Sequence, residues 1–133
     1  MTETIATNSQ PSKGALWTGW ILTILPSIML LSGAIFAWTR SPQVVEGTAA
    51  VGWNPDLLPI LGTIEIMCVL LFLIPRTAVF GALLLTAYFG GAVATHVRIG
   101  QHNWYGAVIM GIVVWAAMLL REPRLRSVLP LRK

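Results

Sequence analysis

The sequence predicts an all-α integral membrane four-helix bundle with both termini in the cytoplasm. Three observations predict it. The composition is too apolar for a short water-soluble chain. Four apolar runs have membrane-spanning length. The lysines and arginines are unevenly shared between the two ends of those runs.

Hydrophobic residues make up 56% of the 133 positions and charged residues 11%. An average soluble domain carries roughly 25% charged residues, and a chain this short needs them to cover its surface. The excess apolar surface must therefore face lipid. The net charge of +4 lies mostly in the connections and at the C-terminus. It reads as a topology signal rather than a nucleic-acid footprint. The single cysteine, Cys68, excludes an intrachain disulfide and a CxxC redox pair, and sits in an apolar run as a packing residue.

One domain is expected. Residues 1–15 are polar and expected to be disordered, 16–121 form the transmembrane unit, and 122–133 form a basic cytoplasmic tail. The first span is placed at 17–38. It is too long for a signal-peptide core, Pro26 is a candidate kink, and Trp17, Trp20 and Trp38 suit the interfaces. Thr39–Asp56, with Arg40, Pro42, Glu46, Gly52, Asn54 and Pro55, is expected to be a loop in which Trp53 dips into the membrane surface. The second span, 57–74, has Pro59 in its first turn, where a missing N–H is tolerated. Pro75-Arg76 makes a tight turn, which forces the third span, 77–95, to run antiparallel beside the second. His96–Asn103 is a polar break before the fourth span, 104–120.

With four spans, Lys13, Arg76, Arg121, Arg124, Arg126, Arg132 and Lys133 share one side, against Arg40 and Arg98 on the other. The positive-inside rule places the larger group in the cytoplasm, with headgroup anchoring as its role. The bundle is expected to close through small residues: Ala87, Gly91 and Thr95 on the third span, Gly33 and Ala37 on the first, Gly62 on the second.

Glu65 is the residue that most needs an explanation. It lies about 12 Å along the helix from Leu57, near mid-membrane. An ionised carboxylate there costs roughly 2.5–3.5 kcal/mol, so it should face the bundle and hold a proton or a partner. A proton or ligand site is one reading; a structural hydrogen bond to Thr86 or Tyr88 is the other. Tyr88, Ala92, Thr95 and His96 fall along one side of a helix, so His96 can hang into the bundle in line with Tyr88. Glu65 and His96 differ in depth by roughly 15 Å in a regular hairpin. A water- or ligand-filled cleft therefore links them more readily than direct contact. His96 and His102 lie on one side of the membrane and cannot supply facing haem ligands. Their spacing with one carboxylate is not diagnostic of a metal, and no metal ligand is assigned. No Walker loop, dinucleotide fingerprint or nucleophile motif is present.

Several strings carry a family resemblance: LGxxE (Leu61, Gly62, Glu65), Pro75-Arg76-Thr77, Gly81-Ala82, and Tyr88-Phe89-Gly90-Gly91-Ala92-Val93-Ala94-Thr95-His96-Val97-Arg98. Over roughly residues 50–120 the chain resembles the DoxX-like family of small bacterial membrane proteins. The resemblance implies a four-helix membrane bundle in the bacterial cytoplasmic (inner) membrane. The family name derives from a subunit of a thiosulfate:quinone oxidoreductase, and some relatives are linked to quinone or thiol stress.

The expected function is a binding or accessory subunit for a small amphipathic molecule such as a quinone or lipid. Glu65 and His96 would bond its polar atoms, Arg98 would guide an anionic group, and Tyr88 and Trp104 would line the wall. No catalytic residue is assigned, intrinsic catalysis is not expected, and quinone is the only cofactor class implied. The expected partners are the bilayer, that ligand, and a membrane subunit or second copy, with no nucleic acid. Three competing readings are a quinone-linked oxidoreductase component, a proton-coupled exporter using Glu65, and a structural protein in which Glu65 only fixes packing.

Overall fold

The computed structural model describes residues 10–129. Six helices follow one another: α1 Lys13–Trp38, α2 Pro42–Ala50, α3 Leu58–Leu73, α4 Ala78–Arg98, α5 Trp104–Arg121 and α6 Pro123–Val128. A 3₁₀ turn, Pro55–Leu57, leads into α3. Four stretches are long and apolar enough to cross a membrane: Lys13–Trp38, Pro55–Leu73, Ala78–Arg98 and Trp104–Arg121. Every described element is helical, as the composition and the apolar runs predict.

The boundaries differ from the sequence reading in three places. Helix α1 begins at Lys13, inside the segment expected to be disordered, because the Ser12 hydroxyl accepts from the Ala15 N–H and caps it. Residues 1–9 of that segment lie outside the described residues, as do 130–133 of the basic tail. Thr39–Asp56 is mostly helical rather than a loop. Pro42 occupies the first turn of α2, where its fixed φ is already helical. The third span continues through His96 to Arg98, because Gly90-Gly91 does not interrupt it. Helix α1 likewise runs unbroken through Pro26.

The four long helices form a ring in the order α1, α3, α4, α5, each packed on two neighbours. The core is Leu30, Cys68, Val69, Phe72, Ala78, Ala82, Leu85, Phe89, Val114, Ala117 and Met118. Outside it the helices show large apolar side chains, such as Trp17 at 71% exposure and Ile112 at 64%. Such a surface is stable in hydrocarbon and not in water. The hydroxyls along the spans donate to the carbonyl one turn back, including Thr23 to Gly19, Ser27 to Thr23, Thr63 to Pro59 and Thr86 to Ala82. These hydroxyl hydrogens are thereby not left bare in lipid.

Two glycines set the packing of α3. A side chain at Gly62 would meet Trp38 Cδ1 at 2.9 Å and the Ala34 carbonyl at 3.0 Å, so α1 lies directly against it. A side chain at Gly81 would run into the backbone of Leu71 and Phe72, with the Leu71 carbonyl carbon 2.6 Å away. The α3–α4 hairpin therefore closes backbone to backbone. Thr77 secures its turn by donating to the Leu71 carbonyl at 2.8 Å, a group the helix end leaves free.

Candidate functional site

Glu65 faces the bundle interior from the middle of α3 and is 8% exposed. It shares the buried face of that helix with Gly62, Val69 and Phe72. From α4 the Tyr88 hydroxyl donates to Glu65 Oε2 at 3.3 Å. Of the two partners considered from sequence, Tyr88 is therefore the one used. Thr86 is engaged elsewhere: its hydroxyl accepts from Trp115 Nε1 at 2.9 Å and donates to the Ala82 carbonyl. The second carboxylate oxygen looks toward Gly33, where even an added Cβ would stay 4.0 Å away.

A partly open cavity of about 370 Å³ lies beside this pair. Its long wall is α4, from Ala87 and Tyr88 through Gly91 and Ala92 to Thr95 and His96. Leu61 of α3 forms a second wall, and Thr48, Val51 and Trp53 close it from α2 and the turn after it. Tyr88 is the junction: one side of it lines the cavity and its hydroxyl reaches Glu65. The carboxylate thus stands one hydrogen bond behind the wall.

The row Ala87, Gly91 and Thr95 corrects an expectation. The sequence reading had it closing the bundle, yet nothing lies within 4 Å of a Cβ added at Gly91. No long helix packs on that face. Thr48 and Val51, at the C-terminal end of α2, stand across from it, and the small side chains leave the cavity as a gap.

His96 lines the cavity at the end nearer the α4–α5 connection, and its Nδ1 lies 2.9 Å from Gln101 Oε1. It does not touch Glu65, because α4 is continuous and keeps the two at different depths. Arg98 lies apart from the cavity wall. Its Nη2 donates to the Val51 carbonyl at 2.8 Å, at the C-terminal end of α2. The chain turns there through Gly52, whose φ is +81°, and a Cβ on Gly52 would stand 3.1 Å from the same Nη2. Trp104 also lies outside the lining; its ring meets Tyr105 at a centroid distance of 3.9 Å. The geometry thus gathers Tyr88 and His96 on the wall and Glu65 behind it. Arg98 becomes a brace for the cover and Trp104 stays at the start of α5. Among the described residues, no three His, Cys, Asp or Glu side chains group closely enough to hold a metal.

The cover is not among the features expected from the sequence. Thr48, Val51 and Trp53 come from the segment expected to be a loop. The spacing Val44, Thr48, Val51 on one side of a short helix, after Ser41-Pro42, was the available signal.

The sequence model of a family described as the DoxX-like family matches residues 21–120. The chain belongs to the DoxX-like family. The match includes α1 from Ile21 onward as well as the α3–α4 hairpin, so it takes in the whole ring of spans. No curated protein and no solved structure shows a significant match to the chain. In this DoxX-like protein the family strings acquire physical reasons. Gly62 admits α1, Thr77 caps α3, Gly81 lets α4 meet α3, and the Tyr88–His96 string is the cavity wall. The four spans make it a multi-pass membrane protein.

Proposed function

We propose that the chain is a binding or accessory subunit of the bacterial cytoplasmic membrane that takes a quinone-class molecule into the cavity beneath α2. What carries this reading is the Tyr88–Glu65 pair at a largely apolar wall. Ligand sites of small molecules commonly join apolar walls to a few convergent polar groups. A quinone ring offers carbonyl oxygens that accept hydrogen bonds and apolar faces that want to leave water. When Glu65 carries a proton and donates it to the Tyr88 oxygen, the single Tyr88 hydrogen is free to turn to such an oxygen. Leu61 and Ala92 flank the ring, Trp53 and Val51 cover it, and His96 meets the polar head on entry. Tyr88 and His96 are separated by about 12 Å along α4, so the site suits an elongated amphipath rather than a compact polar metabolite. On the positive-inside rule, the cavity lies toward the side opposite the termini.

The test is a titration of the purified full chain with a short-chain ubiquinone, read by quenching of tryptophan emission. Native protein should saturate, and Trp53→Phe should lose much of the quenched signal. Tyr88→Phe removes one donor and should weaken binding about tenfold, with a modest fall in thermal unfolding because Glu65 loses its partner. A Tyr88→Phe, His96→Ala double variant that binds as the native chain does would overturn the proposal.

A further inference from the structure

A second polar feature sits at the opposite end of the ring, where α1 begins and α5 ends. Arg121 is half-buried there. Its Nη1 donates to Thr23 Oγ1 at 3.1 Å and to the Phe72 carbonyl at 3.4 Å, tying α5 to α1 and α3. Its guanidinium lies over the Trp20 ring, 4.0 Å from the centroid. Stacking of this kind holds the guanidinium plane and leaves its edge for in-plane hydrogen bonds. A guanidinium has five N–H groups. Among the described residues, Nε and Nη2 of Arg121 donate to nothing, and no carboxylate pairs with it. Among the described residues no wholly enclosed side-chain nitrogen or oxygen lacks a partner, so these donors are reachable from outside.

They are reachable through a cavity of about 150 Å³ lined by Leu16, Trp20, Pro75, Ala78, Met118, Arg121 and Glu122. Glu122 likewise forms no ion pair with any described residue. One cation and one anion therefore share a single small cavity, unpaired with each other, within otherwise apolar walls. A purely anionic ligand would meet the Glu122 carboxylate, and a purely cationic one the guanidinium. A zwitterion with a phosphate and a primary ammonium satisfies both. At a membrane surface that zwitterion is a phospholipid headgroup.

We propose that this cavity binds phosphatidylethanolamine from the leaflet on the side of the termini. The phosphate accepts from the free edge of Arg121, and the ammonium donates to Glu122. The Leu16–Trp20 side of α1 contacts the lipid's apolar part. Phosphatidylcholine keeps the phosphate, but its quaternary ammonium has no N–H to donate. Phosphatidylglycerol keeps the phosphate and lacks the cation.

Native mass spectrometry of the full chain from lipid-free detergent tests this, with each of the three lipids added at equal concentration. Phosphatidylethanolamine should be retained about tenfold better than either rival, the scale of one charge-assisted hydrogen bond. Glu122→Gln should erase the advantage over phosphatidylcholine while the unfolding temperature holds. Arg121→Lys should weaken all three lipids, and it keeps a charge in place if Arg121→Ala fails to fold. Two outcomes would overturn the proposal: equal retention of all three lipids by the native chain, or an unchanged preference in Glu122→Gln. Soluble phosphoethanolamine bound as tightly as the lipid would overturn the assignment to a membrane lipid.

Discussion

Gly81 and Gly91 stand on the same helix, and their surroundings are opposite. Gly81 touches the backbone of α3, so Gly81→Ala forces the hairpin apart. Overpacking of this kind costs about 1–3 kcal/mol, and a matching fall in the thermal unfolding temperature in detergent would show it. Gly91 faces empty space, so Gly91→Leu should fold normally and fill the cavity. The expected result is loss of ubiquinone quenching with an unchanged unfolding temperature; retained binding would mean the ligand sits elsewhere. In the sequence both residues belong to small-residue patterns, and nothing local tells them apart. The difference lies in what crosses each face. Glu65 was legible because a carboxylate at that depth is costly whatever surrounds it. Arg121 was not legible beyond headgroup anchoring. Its partners Thr23 and Phe72 lie 98 and 49 residues away in the chain.

Among the elements, α2 is the one whose role depends on a few polar ties. Arg40 and Asp56 pair at 2.8 Å across the two ends of its excursion, both well exposed. Such a pair contributes about 0–1 kcal/mol. The Arg98 bond to the Val51 carbonyl holds the C-terminal end of the helix, where a cation also suits the helix dipole. None of the α2 residues is buried. Arg98→Ala should therefore loosen α2 alone. Hydrogen exchange at residues 42–53 should quicken about tenfold, the measure of roughly 1.4 kcal/mol. Exchange in the four spans should stay as it was. If the spans quickened equally, Arg98 would be holding the bundle rather than its cover. The sequence showed the four long helices because each is a continuous apolar run. It hid α2 because the segment is short and its flanks carry Gly, Pro and charge.

The ring as a whole presents an apolar girdle with one basic end. Among the described residues Lys13, Arg76, Arg121, Arg124 and Arg126 belong to that end, and Arg40 and Arg98 to the other. The cation count predicts which end stays in the cytoplasm, and the fold then places the large cavity on the far side. Cys68 is buried, so a Cys68→Ala background admits single reporter cysteines. In intact cells, a reporter at Gly100 should react with a membrane-impermeant maleimide. A reporter at Arg76 should react only after lysis. The reverse pattern would invert the molecule and move the proposed quinone entry to the inner face.

The order of the ring also bears on how the molecule is assembled. Helix α1 packs on α3 and α5, whereas α3, α4 and α5 follow one another as neighbours. A ribosome delivers α1 before α3, α4 and α5. The first span must therefore wait in the bilayer, with one flank uncovered, until the fourth arrives to join it. The boundary between α1 and α5 is a seam, closed late by a contact between residues far apart in the chain. A neighbouring copy released at the same moment offers an identical fourth span. The seam is thus the place where two nascent chains can exchange their first helices.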